Sequence, residues 1–194
     1  MKSYIWSIPT RIFHWLLALF VLIAFLTDDD NLIKYHTIIG YAILILLVFR
    51  VFWGLLGPKY SKFKDFSFSI EKSKNYIKNI FDTEQKYIGH NPIASIVMIS
   101  MLILLFFVIF SGSLTLGIQE GKGIFSFLNN TFYKEMEIFE EIHELLSNIV
   151  IGLIILHLLG VLSDKVLKPK HETFNSIFNG YKNTKTNHSI KLKI

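Results

Sequence analysis

The sequence predicts an all-α fold: an integral membrane four-helix bundle with both termini on the cytoplasmic side. Three observations predict it. The apolar residues gather in four blocks, each long enough to cross a bilayer. Basic residues concentrate in alternate loops. Charged residues make up only 18% of a chain that is 52% hydrophobic. A helix rises about 1.5 Å per residue, so about 20 residues span the roughly 30 Å hydrocarbon core. A soluble domain carries more charge and shorter apolar runs.

The first block runs from Pro9 to Thr27. Lys2 and Arg11 ahead of an apolar stretch resemble the start of a signal peptide, but Phe25-Leu26-Thr27-Asp28 reads as a helix end and not as a small-residue cleavage site, so the block is read as retained. The second block runs from Tyr35 to Leu56. In the loop that follows, Tyr76, Ile77, Ile80 and Phe81 share one helical face beside Lys74 and Lys78. A basic amphipathic segment of this kind lies on a membrane surface. The third block runs from Pro92 to Ile118, with Asn91 as N-cap and Pro92 at the first helical position. The fourth runs from Glu140 to Leu162. No repeat or Gly/Ser-rich linker divides the chain, so residues 1–170 read as one transmembrane domain and 171–194 as a basic cytoplasmic tail.

Topology follows from the basic residues. Lys2 and Arg11 precede the first helix; Lys59, Lys62, Lys64, Lys72, Lys74, Lys78 and Lys86 follow the second; Lys165, Lys168, Lys170, Lys182, Lys185, Lys191 and Lys193 lie in the tail after the fourth. The other two loops hold only Lys34, Lys122 and Lys134. That pattern is expected of a multi-pass protein of the bacterial inner (plasma) membrane, with lipid as its surroundings. It also explains the net charge of +5 without a nucleic-acid partner. The outer side is acidic, with Asp28, Asp29, Asp30, Glu120, Glu135, Glu137, Glu140, Glu141 and Glu144. The simple account is tolerance of acids there; a docking face for a basic partner is the alternative.

The chain has no cysteine, which excludes disulfides, iron–sulfur clusters and covalent haem attachment through CxxCH. Any metal must therefore be held by other side chains, and four of the seven histidines lie in membrane blocks: His14, His36, His143 and His157. Ionisable residues inside a membrane are functional candidates. His36 and His143 sit at the outer level, His14 and His157 at the inner. His143 and His157 are 14 residues apart, which is about 21 Å along a helix and about 40° around it, so both can face the bundle interior. Each then meets one histidine from another helix, and two facing imidazoles are what a six-coordinate b-haem needs. A zinc site would need three or four ligands at one depth.

Other residues are secondary. Gly40 follows His36 by one turn, and Gly112, Gly152 and Gly160 also leave room near the histidines, although helix packing alone accounts for membrane glycines. Arg50 either snorkels to the inner interface or pairs with a propionate of the inner haem; Arg11 is a similar candidate. His90 reads as loop-end structure, with a propionate contact as the alternative, and His171 and His188 as solvated tail residues. Trp6, Trp15 and Trp53 read as interfacial anchors.

Several motifs, in order, carry a family resemblance. They are Trp6-Ser7-Ile8-Pro9-Thr10-Arg11-Ile12-Phe13-His14-Trp15, His36-Thr37-Ile38-Ile39-Gly40-Tyr41, Phe49-Arg50-Val51-Phe52-Trp53-Gly54, Gly89-His90-Asn91-Pro92, and His143-Glu144-Leu145-Leu146 with His157 and Gly160. The chain resembles the bacterial cytochrome b561 and nickel-hydrogenase cytochrome b family over roughly residues 4 to 180. The resemblance implies two b-haems, with His14 and His157 on the cytoplasmic-side haem and His36 and His143 on the outer one. Bis-histidine ligation leaves no open iron position, so electron transfer is the expected use. The expected route runs between the quinone pool and a redox partner, a periplasmic c-type cytochrome. The alternatives are a membrane anchor for a hydrogenase or dehydrogenase complex and a non-haem proton-coupled transporter. The transporter would show midplane acids and matched helix breaks, and the blocks show neither.

Overall fold

The computed structural model describes residues 2–79, 81, 87, 89–129, 137–169 and 172–183. Ile80, Glu135, His171 and His188 lie outside the described residues. Among these residues six α-helices form in chain order: α1 (Ile8–Leu26), α2 (Ile33–Leu56), α3 (Ile70–Lys78), α4 (Pro92–Glu120), α5 (Ile138–Leu167) and α6 (Thr173–Asn179). Two short strands, β1 (Lys2–Tyr4) and β2 (Tyr181–Asn183), pair antiparallel. Four of the helices, α1, α2, α4 and α5, are long and apolar enough to cross a membrane. The protein is thus an all-α membrane bundle.

Local chemistry sets the helix ends. α1 starts after the extended Ser7, with Pro9 in its first turn, where a missing N–H costs nothing. It ends at Thr27, whose hydroxyl donates back to Ile23 O at 2.9 Å. Ahead of α2, the Asp29 carboxylate accepts from Asn31 N at 2.9 Å and winds a 3-10 turn. α4 begins as the sequence predicts, with the Asn91 side chain accepting from Ala94 N at 2.8 Å. α5 carries Glu140 and Glu141 in its first turn and Lys165 in its last, which suits the helix dipole. It runs beyond the predicted Leu162 to Leu167, because Ser163, Asp164 and Lys165 continue the helix into the polar region.

α1 packs on α2 and α4 on α5, and the two hairpins meet chiefly through α2 and α4. α5 does not pack closely on α1 or α2. The buried core is one layer of Val21, Ile43, Leu47, Leu105, Ile109 and Val150. Val150 lies midway in sequence between His143 and His157, so this dry layer separates two depths of the bundle. Outward, residues such as Leu22, Ile45, Leu55 and Leu158 stay exposed. A helix apolar on its outer side as well as its inner side has lipid as its solvent.

On the side of the two termini, here called inner, polar bonds tie the helix ends together. Thr10 Oγ1 receives the Trp53 indole N–H at 3.1 Å and shares hydroxyl bonds with Ser7 and Ser61, both 2.9 Å. Residues 172–183, which the sequence places in the basic tail, fold back onto the N-terminus. β2 pairs with β1 in the register Lys2↔Asn183, Ser3↔Lys182 and Tyr4↔Tyr181. Ile5 N and Trp6 N donate to Gly180 O at 2.8 and 3.2 Å, and Trp6 Nε1 donates to Ser176 Oγ at 3.0 Å. Gly180 has φ 85°, a left-handed conformation that side chains resist, and Tyr4 fills the space a Cβ would need.

The tryptophans consequently divide. Trp15 is exposed, as an interfacial anchor is, whereas Trp6 is buried and Trp53 is bonded to Thr10. The N–H groups of Trp6 and Trp53 are held by protein acceptors, Ser176 and Thr10. α3 is amphipathic, as its spacing predicts, but it ends at Lys78. Tyr76 therefore turns inward to receive Asn91 Nδ2–H at 3.2 Å, while Ile77 and Phe81 stay exposed.

Candidate functional site

The four membrane histidines meet in two pairs. His36 at the outer end of α2 and His143 on α5 have ring centroids 6.0 Å apart, with planes at 77°. His14 on α1 and His157 on α5 have centroids 6.4 Å apart, at 53°. Each pair joins α5 to a helix on which it does not otherwise pack closely. The histidines therefore face one another across gaps between helices.

The outer pair is fixed by backbone. His36 Nδ1–H donates to Ala24 O at 3.0 Å. His143 Nδ1–H donates to Val108 O at 2.8 Å and leans toward Ser111 Oγ at 3.3 Å. A carbonyl can only accept, so both rings carry the proton on Nδ1 and leave Nε2 free as a ligand. A second-shell bond of this kind orients a metal-binding imidazole and raises its basicity. Gly112 lets His143 reach this position: a Cβ there would lie 2.8 Å from His143 Cε1. A Cβ at Gly40, Gly152 or Gly160 would meet nothing within 4 Å, so open space adjoins each of them.

The inner pair has a different setting. His14 Nδ1 is buried with no hydrogen-bond partner among the described residues, and Trp15 stands edge-on to its ring at 5.2 Å. Around this level lie basic side chains. Arg50 is 5% exposed; it donates to Ser61 O at 3.0 Å and lies over the Phe63 ring at 4.7 Å. Arg11 turns toward α6, donates to Phe178 O and leaves its Nε buried without a partner. His90 packs its ring on Trp6 at 4.5 Å and on Phe66 at 4.9 Å. Burial above all, then the charges of Lys182 and Arg50, push His90 down to about 3, so it is neutral at ordinary pH. Lys182 on β2 is 6% exposed and reaches Gly89 O at 3.5 Å.

Lys182, the Ser176 acceptor and the Thr10 hub escape sequence reasoning. Lys182 and Ser176 acquire their roles only when the N- and C-terminal segments meet, and Thr10 only when α1 meets the end of α2 and the loop after it; a tail lysine carries no local signal of burial.

Four apolar helices with facing imidazole pairs between them define a multi-pass membrane protein with histidine sites inside its bundle. The family model for prokaryotic cytochrome b561 matches residues 5–180. The chain belongs to that family: it is a membrane b-type cytochrome of electron transfer, and membership implies haem b as its cofactor. Comparison with curated proteins and with solved structures finds no match.

Proposed function

We propose that the chain binds two b-haems, one between His14 and His157 and one between His36 and His143, and relays electrons across the bacterial inner membrane. The observation that carries this reading is the spacing of the two imidazole pairs. A metal–imidazole bond is about 2 Å, so one ion held between two facing imidazoles would need their centroids about 6 Å apart. The pairs stand at 6.4 and 6.0 Å. The donor set fits as well. Among the described residues no group of three or more His, Cys, Asp or Glu gathers, so two imidazoles suit a metal whose other ligands come from a macrocycle.

Held by His14 and His157 or by His36 and His143, haem would supply one-electron redox chemistry, and two imidazole ligands would favour electron transfer over oxygen binding. The chain's own residues hold the rings apart, keep water out and shape the charge. Val150 and the core around it separate the two levels with apolar side chains. The exposed acids Asp28, Asp29, Glu140, Glu141 and Glu144 surround the outer level. They favour a partner with a basic face, here a periplasmic c-type cytochrome, with quinone as the membrane reactant. A hydrogenase or dehydrogenase complex is the partner that co-purification would reveal instead.

The test is haem b per chain in detergent, from the dithionite-reduced spectrum, for the wild type, His143→Ala and His157→Ala. Two haems in the wild type and one in each variant are expected. A well-folded wild type without haem overturns the reading; one haem reduces it to the pair whose loss bleaches the protein.

A further inference from the structure

Among the described residues, no carboxylate lies within ion-pair distance of the basic side chains around the inner histidines. Among the described residues the ion pair within 4 Å is Lys122–Glu120, at the other end of the molecule. Burying a charge without a partner is costly, and such groups persist where an opposite charge completes the site. Lys182 is the extreme case. A two-stranded ribbon alternates its side chains between faces, so burying one residue of β2 exposes its neighbours. The register buries the lysine and leaves Tyr181 45% exposed. A shift of one residue would reverse this. The ribbon thus turns its charged residue inward and its aromatic one outward, the opposite of what burial alone favours. Among the described residues the acceptor of Lys182 is the Gly89 carbonyl, at 3.5 Å. Asp164 influences it without reaching ion-pair distance. Lys182 acts on His90, and His90 lies within electrostatic reach of Arg50, His157 and His14.

We propose that Lys182, set inward by β2, is the counter-charge of a propionate of the inner haem, completing with the Arg50 cation and the neutral His90 a polar chamber for that edge of the ring. The inference rests on the haem reading above. Its physical consequence is a redox one. Reduction adds a negative charge to the haem, so a nearby cation favours the reduced form, and its removal lowers the midpoint potential.

The experiment is a spectroelectrochemical titration of Lys182→Gln and Lys182→Arg, each in the His143→Ala background, where the inner haem alone is read. Haem content is measured on the same samples. Lys182→Gln is expected to keep the haem and make its reduction about tenfold less favourable, which is 59 mV for a one-electron couple. Lys182→Arg is expected to keep the parental potential. Loss of the haem in Lys182→Gln with retention in Lys182→Arg supports the same role. An unchanged potential in Lys182→Gln, or equal damage from both substitutions, overturns it and leaves Lys182 a packing residue of the ribbon. Absence of haem from the parent protein is a separate result, and it would overturn the haem reading itself.

Discussion

The outer and inner histidine levels present the same donor set, two imidazoles about 6 Å apart, yet different forces hold them. The outer rings are aimed by backbone: the Ala24 and Val108 carbonyls fix the proton on Nδ1. The inner His14 has no such bond among the described residues; Trp15 stands edge-on to its ring, and the cations of this level, Lys182 and Arg50, act on the neighbouring His90. A carbonyl behind an imidazole makes it a stronger donor and favours oxidised iron, and the acids of the outer face act in the same direction. Cations at the inner level favour reduced iron. With two haems bound as proposed, both effects give one expectation, that the inner one titrates at the higher potential and reduces first. Reduction of the outer haem first would show that the ring environments, and not charge and second-shell bonds, set the order.

The largest disturbance of this contrast is expected at Gly112. A Cβ there already meets His143 Cε1 at 2.8 Å and Nδ1 at 2.9 Å, and overpacking of this kind costs about 1–3 kcal/mol before any ligand geometry is lost. Gly112→Val is expected to displace the His143 ring from Val108 O and empty most of the outer site, with the inner haem retained. Gly112→Ala should fall between. Pyridine haemochrome counts and the reduced spectrum read both. An intact outer site in the valine variant would mean that α4 moves aside and that the carbonyl bond does not aim the ring.

Acid separates the two levels next. His90 lies within electrostatic reach of Lys182 on β2, Arg50 on α2, His14 on α1 and His157 on α5. Its folded pKa is about 3 against an ordinary 6.5. Between those values the unfolded chain binds the extra proton and the folded chain does not, so stability is full above 6.5 and falls as pH drops toward 3. His90→Gln keeps a neutral hydrogen-bonding side chain and should shift acid unfolding to lower pH. Identical acid profiles in variant and wild type would show that the histidine ligands alone set acid sensitivity.

The histidine level was legible in the sequence because a helix translates sequence number into depth and angle. His143 and His157 declare their heights and their shared face without any partner in view. The Asn91 cap and Pro92 are legible for the same reason, since their chemistry is local. Lys182 is the opposite case. Its burial depends on pairing with Ser3, nearly the whole chain away, and on a register that no local pattern specifies. Trp6 reads as an anchor until Ser176 arrives beside it. Arg50 stayed open between two roles because its acceptor, Ser61 O, belongs to a loop whose path the sequence does not give. Helix positions speak through periodicity, and contacts between the chain ends have no period.

The smallest expected effect tests whether that terminal clasp serves only the inner level. Ser176 is fully buried and its hydroxyl accepts the Trp6 indole N–H at 3.0 Å while donating to Thr173 O at 2.6 Å. Ser176→Ala removes both bonds and leaves a buried N–H without an acceptor, a loss of about 1–3 kcal/mol. Thermal unfolding in detergent should shift down by a few degrees with both haems still bound. Because β1 and β2 carry Lys182 to its place, a loosened clasp should also lower the inner potential toward that of Lys182→Gln and leave the outer potential unchanged. A stability loss with no change in either potential would separate the clasp from the site it borders. A shift at both levels would mean that the bundle transmits strain through the Val150 layer, and the two sites would then not be independent.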